Sequence, residues 1–238
     1  MPSLADVRDL LSAHRPASGP YVIAITGSVA AGKSVFAGEL AADLAAQPDR
    51  PVVEIVCTDG FLMDNAALAV RGLTQRKGFP ESYDAPAMHA ALAAIRGGPT
   101  TFPAYSHVTY DIDPALARTL APPGVLIVEG LGLHADQGGL IDALIYLDAD
   151  EADLEAWFTE RLIGLWRAAE HDPTSFYARF RHLDEAGARG FAKMVWEAIN
   201  LPNLHDHIVQ ARALADIVIR KGPDHAIEAI GGRWTVKA

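Results

Sequence analysis

The sequence predicts an α/β fold in which a mainly parallel sheet lies between two layers of helices, and three observations point there. Short apolar, β-branched runs recur along the chain, segments with helical spacing separate them, and a glycine-rich turn, GSVAAGKS, joins the first run to the first long helical segment. No internal repeat or low-complexity linker divides the 238 residues, so one domain, 1–238, is expected.

The elements follow in order. Leu4, Val7, Leu10 and Leu11 recur at helical spacing, which predicts a short amphipathic helix over 4–14 before Pro16–Pro20 breaks the chain. YVIAIT, 21–26, reads as a buried strand, 33–46 as a helix rich in Ala and Leu, and 51–57 as a second buried strand. Residues 65–71 and 85–96 have helical spacing, the second closed by Gly97 and Gly98. VLIV, 125–128, and LIYL, 144–147, predict two further strands. Long helices are expected over 151–170 and 183–200, and the region 151–205 is read as a helical lid over the acceptor. A late strand at 217–219 and a last helix near 225–230 complete the series.

Composition narrows the function. Half the residues are apolar and the formal net charge is −10, with no long basic run, which argues against a nucleic-acid partner. No run of about 18 apolar residues is present, and the N-terminus lacks the pattern of a secretory leader, so a cytoplasmic protein away from membranes is expected. The single cysteine, Cys57, fits a reducing compartment and reads as a strand thiol.

GSVAAGKS, residues 27–34, fits G-x-x-x-x-G-K-[ST] at every fixed position and has the context its mechanism requires, a strand before and a helix after. This predicts a P-loop nucleoside triphosphate hydrolase/kinase fold. Gly27, Ser28, Val29, Ala30, Ala31, Gly32 and Val35 are expected to surround the phosphates of ATP with backbone N–H groups, with Lys33 at the β- and γ-phosphates and Ser34 on Mg²⁺. Two acids sit where strands end, Asp59 in CTDGF and Glu129 in VLIVEG, and strand carboxyl ends face the ligand crevice in such sheets. The expected division is Asp59 as base for an attacking hydroxyl and Glu129 near the metal. The N-K-x-D motif of a GTPase is absent.

Those stretches, with RGLTQRKGFPESYD (71–84), FPAYSHVTYDI (102–112) and WEAIN (196–200), resemble the bacterial type I pantothenate kinases, in the family's order and from about Tyr21 onward. The resemblance implies phosphoryl transfer from ATP to pantothenate, the first step towards coenzyme A. It implies that Lys33, Asp59 and Arg161 are catalytic, that Tyr105 and His107 line the pantothenate or coenzyme A site, and that Asn200 grips the acceptor amide. It also places Tyr177 with the acceptor residues and His225 beside the adenine. Phe158 stands where the family has a tyrosine at the acceptor, Leu162 and Leu165 replace phenylalanines, and the segment between Leu133 and Asp142 is shortened. A nucleoside or sugar acceptor is therefore the alternative, and a non-catalytic nucleotide-binding regulator a third reading. A homodimer is expected on the general frequency of such assemblies.

Other features invite blander readings. His205, Asp206 and His207 read as a solvated polar turn, because histidines two apart on a helix diverge. The acids Asp148, Asp150, Glu151 and Asp153 suit a helix N-terminus. Trp157, Trp166 and Trp196 suggest helix packing, with Trp157 within reach of the acceptor. His134, His171 and His182 receive no role.

Overall fold

The computed structural model describes residues 2–133 and 138–235. His134 and part of the shortened segment after Leu133 lie outside the described residues.

The chain opens with α1, Leu4–Ala13, where Asp6 accepts from both the N–H and the hydroxyl of Ser3 and so fixes the first turn. Val7, Leu10 and Leu11 are buried. β1, Tyr21–Gly27, is buried at every position, and α2, Lys33–Ala45, follows it after the glycine-rich loop. β2, Val53–Cys57, then leads through a 3₁₀ turn, Thr58–Phe61, to α3, Asn65–Val70, and α4, Ala85–Ala94. Four short strands come next: β3, Thr100–Phe102, β4, Tyr105–Ser106, β5, Asp111–Ile112, and β6, Arg118–Leu120. They form two small antiparallel pairs, β3 with β6 and β4 with β5. β7, Val125–Glu129, and β8, Ala143–Asp148, complete the middle of the main sheet. α5, Glu151–Ala168, and α6, Glu185–Val195, follow, and β9, Ile217–Lys221, and β10, Ile227–Gly231, end the fold.

The main sheet runs β10-β9-β8-β1-β7-β2, parallel throughout except for β10. From β1 the chain crosses towards β2 through α2, and from β8 it crosses the other way through α5 and α6 to β9. Right-handed crossovers in opposite directions place these helices on opposite faces. The mainly parallel α/β architecture expected from the sequence is therefore present, and its central strands carry the core.

Two expectations need correction. Residues 227–231 form an antiparallel edge strand, not a helix, because a tight turn from Gly222 to Ala226 folds the segment back onto β9. The predicted helix over 183–200 neither starts at 183 nor stops at 200. After α6 the chain continues through two wide π turns, Trp196–Asn200 and Leu204–Ile208, to a helical end at Gln210–Leu214. Pro202 sits inside this tract, where the wide turns absorb its missing N–H. His205, Asp206 and His207 are thus helical rather than a turn. His205 Nε2 lies 2.8 Å from Glu151 Oε1, and the His207 ring packs edge-on against Phe79.

The acidic cluster at the start of α5 is held by more than the helix dipole. Arg212 pairs with Asp148 at 3.1 Å and Arg220 with Asp150 at 2.6 Å. Among the described residues, no helix is long and apolar enough to cross a membrane.

Candidate active site

The loop between β1 and α2 folds into a concave turn because three residues take positive φ: Gly27 at 140°, Ala30 at 65° and Gly32 at 80°. Gly32 is the N-cap of α2 and supplies no side chain to it, so the helix starts with its positive end open towards the loop. Ser28 is 1% exposed and its hydroxyl has no partner among the described residues. Val29 packs partly against the core, Ala31 is buried, and Val35 points outward from the first turn of α2.

Lys33 folds back over the loop and donates to the carbonyls of Gly27 at 3.2 Å and Ser28 at 2.8 Å. Burial pulls its ammonium below the ordinary lysine pKa, while Glu129 and Asp59 pull it back up. The neighbouring Ser34 hydroxyl donates to Glu129 Oε1 at 2.7 Å. Glu129 ends β7 and is 5% exposed, so a carboxylate and a hydroxyl oxygen meet beside the phosphate loop. Such oxygens suit Mg²⁺, which takes few protein ligands and completes its shell with water and phosphate. Among the described residues, no group of three or more His, Cys, Asp or Glu able to hold a metal occurs.

Asp59 lies in the 3₁₀ turn after β2 and accepts from the Tyr83 hydroxyl at 3.2 Å. Burial and then the Asp59 charge push the Tyr83 phenol up, so it stays a donor. The two carboxylates come from adjacent strands, and Gly130 allows it. Gly130 has φ of 141°, and a Cβ there would overlap Thr58 Oγ1. Cys57, at the end of β2, feels both acids, and burial followed by their charges raises its thiol pKa.

An aromatic group borders Asp59. Tyr105 meets His107 at 5.2 Å and Tyr110 at 5.9 Å between ring centres, and Tyr110 stacks on Phe176 at 4.3 Å. Tyr177 stands edge-on to Tyr110 at 6.5 Å. Lys77 lies over the Tyr110 ring at 4.4 Å and donates to Asn65 Oδ1 and the Tyr110 carbonyl. Burial lowers the Lys77 pKa, and Asp111 and Asp59 oppose that. His107 is lowered by burial first and then by Arg161, with Asp59 and Glu129 opposing. Arg161, exposed on α5, therefore acts electrostatically on both His107 and Lys33.

Phe158, one turn before Arg161, packs against Trp196 at 5.9 Å, and Trp196 shares its wide turn with Asn200. Asn200 is 8% exposed and its Nδ2 has no partner among the described residues. Behind the phosphate loop, His225 stacks on Trp157 at 3.9 Å. The Trp157 indole N–H donates to Pro223 O at 3.1 Å. Trp157 thus stands with the His225 group rather than at the acceptor side.

Lys33, Ser34, Asp59, Glu129, Arg161, Tyr105 and His107 lie in one neighbourhood, joined by the Ser34–Glu129 hydrogen bond, the Tyr105–His107 ring contact and the mutual reach of their charges. Phe158 and Asn200 form a second group around Trp196, and His225 a third behind the loop. Lys77, Tyr83, Tyr110 and Lys221 went unassigned in the sequence, and Trp157 was read at the acceptor side rather than beside His225. Lys77 and Tyr83 lie within RGLTQRKGFPESYD and Tyr110 within FPAYSHVTYDI, so position in those stretches was the available signal.

With this geometry in hand, residues 22–162 match the model of the phosphoribulokinase/uridine kinase family. The chain is 43% identical to a pantothenate kinase of Sorangium cellulosum (strain So ce56), over 95% of this chain and 77% of that one. It is 41% identical to a pantothenate kinase of Rhodopseudomonas palustris (strain BisB18), over 90% of this chain and 72% of that one. Among solved structures, a Silicibacter sp. TM1040 protein, whose name proposes a fructose transport system kinase, superposes with a TM-score of 0.74 at 26% identity. That match covers 92% of this chain and 99% of the other.

Proposed function

The chain belongs to the phosphoribulokinase/uridine kinase family, and we propose that it transfers the γ-phosphoryl group of ATP to a hydroxyl of pantothenate. The observation that carries the reading is the separation of two carboxylates: Glu129 engages Ser34 beside the phosphate loop, while Asp59 accepts from Tyr83 and its charge reaches Tyr105 and Tyr110 of the aromatic group. This separation supports giving Glu129 to the metal and Asp59 to the acceptor.

In this reading the acceptor oxygen attacks the γ-phosphorus, an O–P bond forms, and the bond to the β–γ bridging oxygen breaks to release ADP. The hydroxyl proton passes to Asp59, which the Tyr83 hydroxyl orients. Lys33 and Arg161 offset the charge that spreads over the phosphoryl oxygens. Ser34 and Glu129 would hold Mg²⁺, which supplies charge neutralisation of the phosphates when bound. Asn200 offers a free amide donor to the acceptor, while Tyr105, His107, Tyr177 and Phe158 form its walls. His225 and Trp157 flank the base of the nucleotide.

One observation favours a second reading, a sugar acceptor: the Silicibacter protein, whose name proposes a fructose transport system kinase, is matched over 99% of its length. The proposal includes a cytoplasmic homodimer, which light scattering would check.

An ADP-release assay with pantothenate, uridine, cytidine, fructose and ribulose 5-phosphate tests the acceptor. Saturable turnover on pantothenate alone is expected, whereas turnover on fructose with pantothenate inert establishes the second reading. Asp59→Asn should lower kcat by roughly 10²- to 10⁴-fold with little change in ATP affinity. Collapse of ATP binding in that variant would make Asp59 a metal ligand instead.

A further inference from the structure

Lys221 ends β9 and is 6% exposed, yet among the described residues no carboxylate forms an ion pair with it. Its ammonium donates to the carbonyl of Ala31 at 3.2 Å, across 190 positions of sequence. Glu39 is the carboxylate whose charge reaches it, opposing the pull of burial on its pKa. A buried cation without a paired anion is costly, so a chain that keeps one places it for a reason other than stability.

The surroundings of the ammonium supply that reason. A Cβ built on Gly32 would lie 2.9 Å from Lys221 Nζ and 3.9 Å from His225 Nδ1. The lysine therefore sits against the phosphate loop at Gly32, the residue that caps α2. Ala31 and Gly32 share one planar trans peptide, in which the carbonyl and the next N–H point in opposite directions. Holding the Ala31 carbonyl outward turns the Gly32 N–H inward, towards the concave side of the loop. That side is where loop N–H groups meet phosphate oxygens. The short turn after Lys221 carries His225, so one hairpin touches both the loop and the stacked pair of His225 and Trp157.

We infer that Lys221 is a positioning residue of the nucleotide site: it fixes the Ala31–Gly32 peptide with its N–H facing the phosphates and sets a positive charge behind the loop that a bound polyphosphate completes. This rests on the nucleotide half of the proposed function and is independent of which acceptor is used.

The test is calorimetric titration of the full chain with Mg·ADP and no acceptor, so that a wrong acceptor leaves the readout untouched. Wild-type binding checks the nucleotide site itself, and the ratio of variant to wild type checks Lys221. In Lys221→Met the dissociation constant should rise by about tenfold or more. The unliganded Tm should stay level or rise, because a buried cation without a counter-ion is gone. KM for ATP should rise by more than kcat falls, and Lys221→Arg should recover most of the binding. Lys221→Gln, which keeps a donor for Ala31 without the charge, should fall between Met and wild type, and it carries the comparison if the Met variant fails to fold. Binding of Mg·ADP within about twofold of wild type in the Met or Gln variant, with only Tm lowered, would overturn the assignment and leave Lys221 a structural residue.

Discussion

The side-chain nitrogen of Asn200 is buried with no hydrogen-bond partner among the described residues, and a donor left in that state costs about 1–3 kcal/mol. Asn203, in the same helical tract, spends its own amide nitrogen on the Gly78 carbonyl at 2.9 Å, so the two asparagines differ in what they do for the fold. An acceptor group that takes a hydrogen bond from Asn200 would relieve the orphaned donor on binding. Asn200→Leu should therefore leave Tm level or slightly higher while raising KM for the acceptor by roughly 10- to 100-fold. A variant that lost stability and kept its KM would assign the amide to folding. Residue identity alone pointed to Asn200 only through the resemblance, since an isolated asparagine in WEAIN carries no chemistry of its own. Lys77 and Tyr83 were harder still, because each acts through partners that the fold supplies: the Tyr105 and Tyr110 rings for one, Asp59 for the other.

Pairing of elements sets the distance between the two acids, and Gly130 sits where that pairing is tightest. Its φ of 141° suits glycine, and a side chain would collide with Thr58 at the end of β2. Gly130→Ala should lower stability by about 1–3 kcal/mol from backbone strain alone. It should also reduce kcat, since separating β7 from the turn after β2 moves Glu129 away from Asp59. Thr58→Ala in the same chain should return part of the loss by removing the collision, a coupling that calorimetry and the ADP-release assay can both measure. If the two substitutions simply add, the close approach is not what constrains the site. At this scale the sequence was most legible where apolar runs were buried on both faces, as in β1, β7 and β8, because periodicity and burial then agree. It misled at 227–231, where a half-exposed segment of mixed character takes its structure from a neighbour, β9, that local propensity cannot see. It also misled at Asn200, where the predicted helix ends but wide turns carry the helical tract onward past Pro202.

Across the whole molecule the sheet separates the chemistry from a second anchoring point. The phosphate loop, Asp59, Glu129 and Lys221 lie at or just beyond the carboxyl ends of parallel strands, as a sheet of this kind places its ligands. At the other end of β1 the Tyr21 hydroxyl donates to the Leu11 carbonyl at 3.1 Å, and the His14 ring stacks on Trp234 at 3.8 Å. α1 thereby ties the start of the described chain to its end, seven strand residues away from the phosphate loop. Leu11 is fully buried there, and Leu11→Ala should cost about 2–5 kcal/mol through lost transfer free energy and the cavity left behind. For a chain of this size that is a fall in Tm of roughly 5–15 °C. Below the unfolding range, KM for ATP and for the acceptor should stay within about twofold of wild type, because α1 is tied to α2 through Arg8 and Asp43, near the end of that helix remote from Lys33 and Ser34. A shifted KM at a temperature where the variant is still folded would show that the strand register set by α1 reaches the loop, and that the two ends of the sheet are mechanically one.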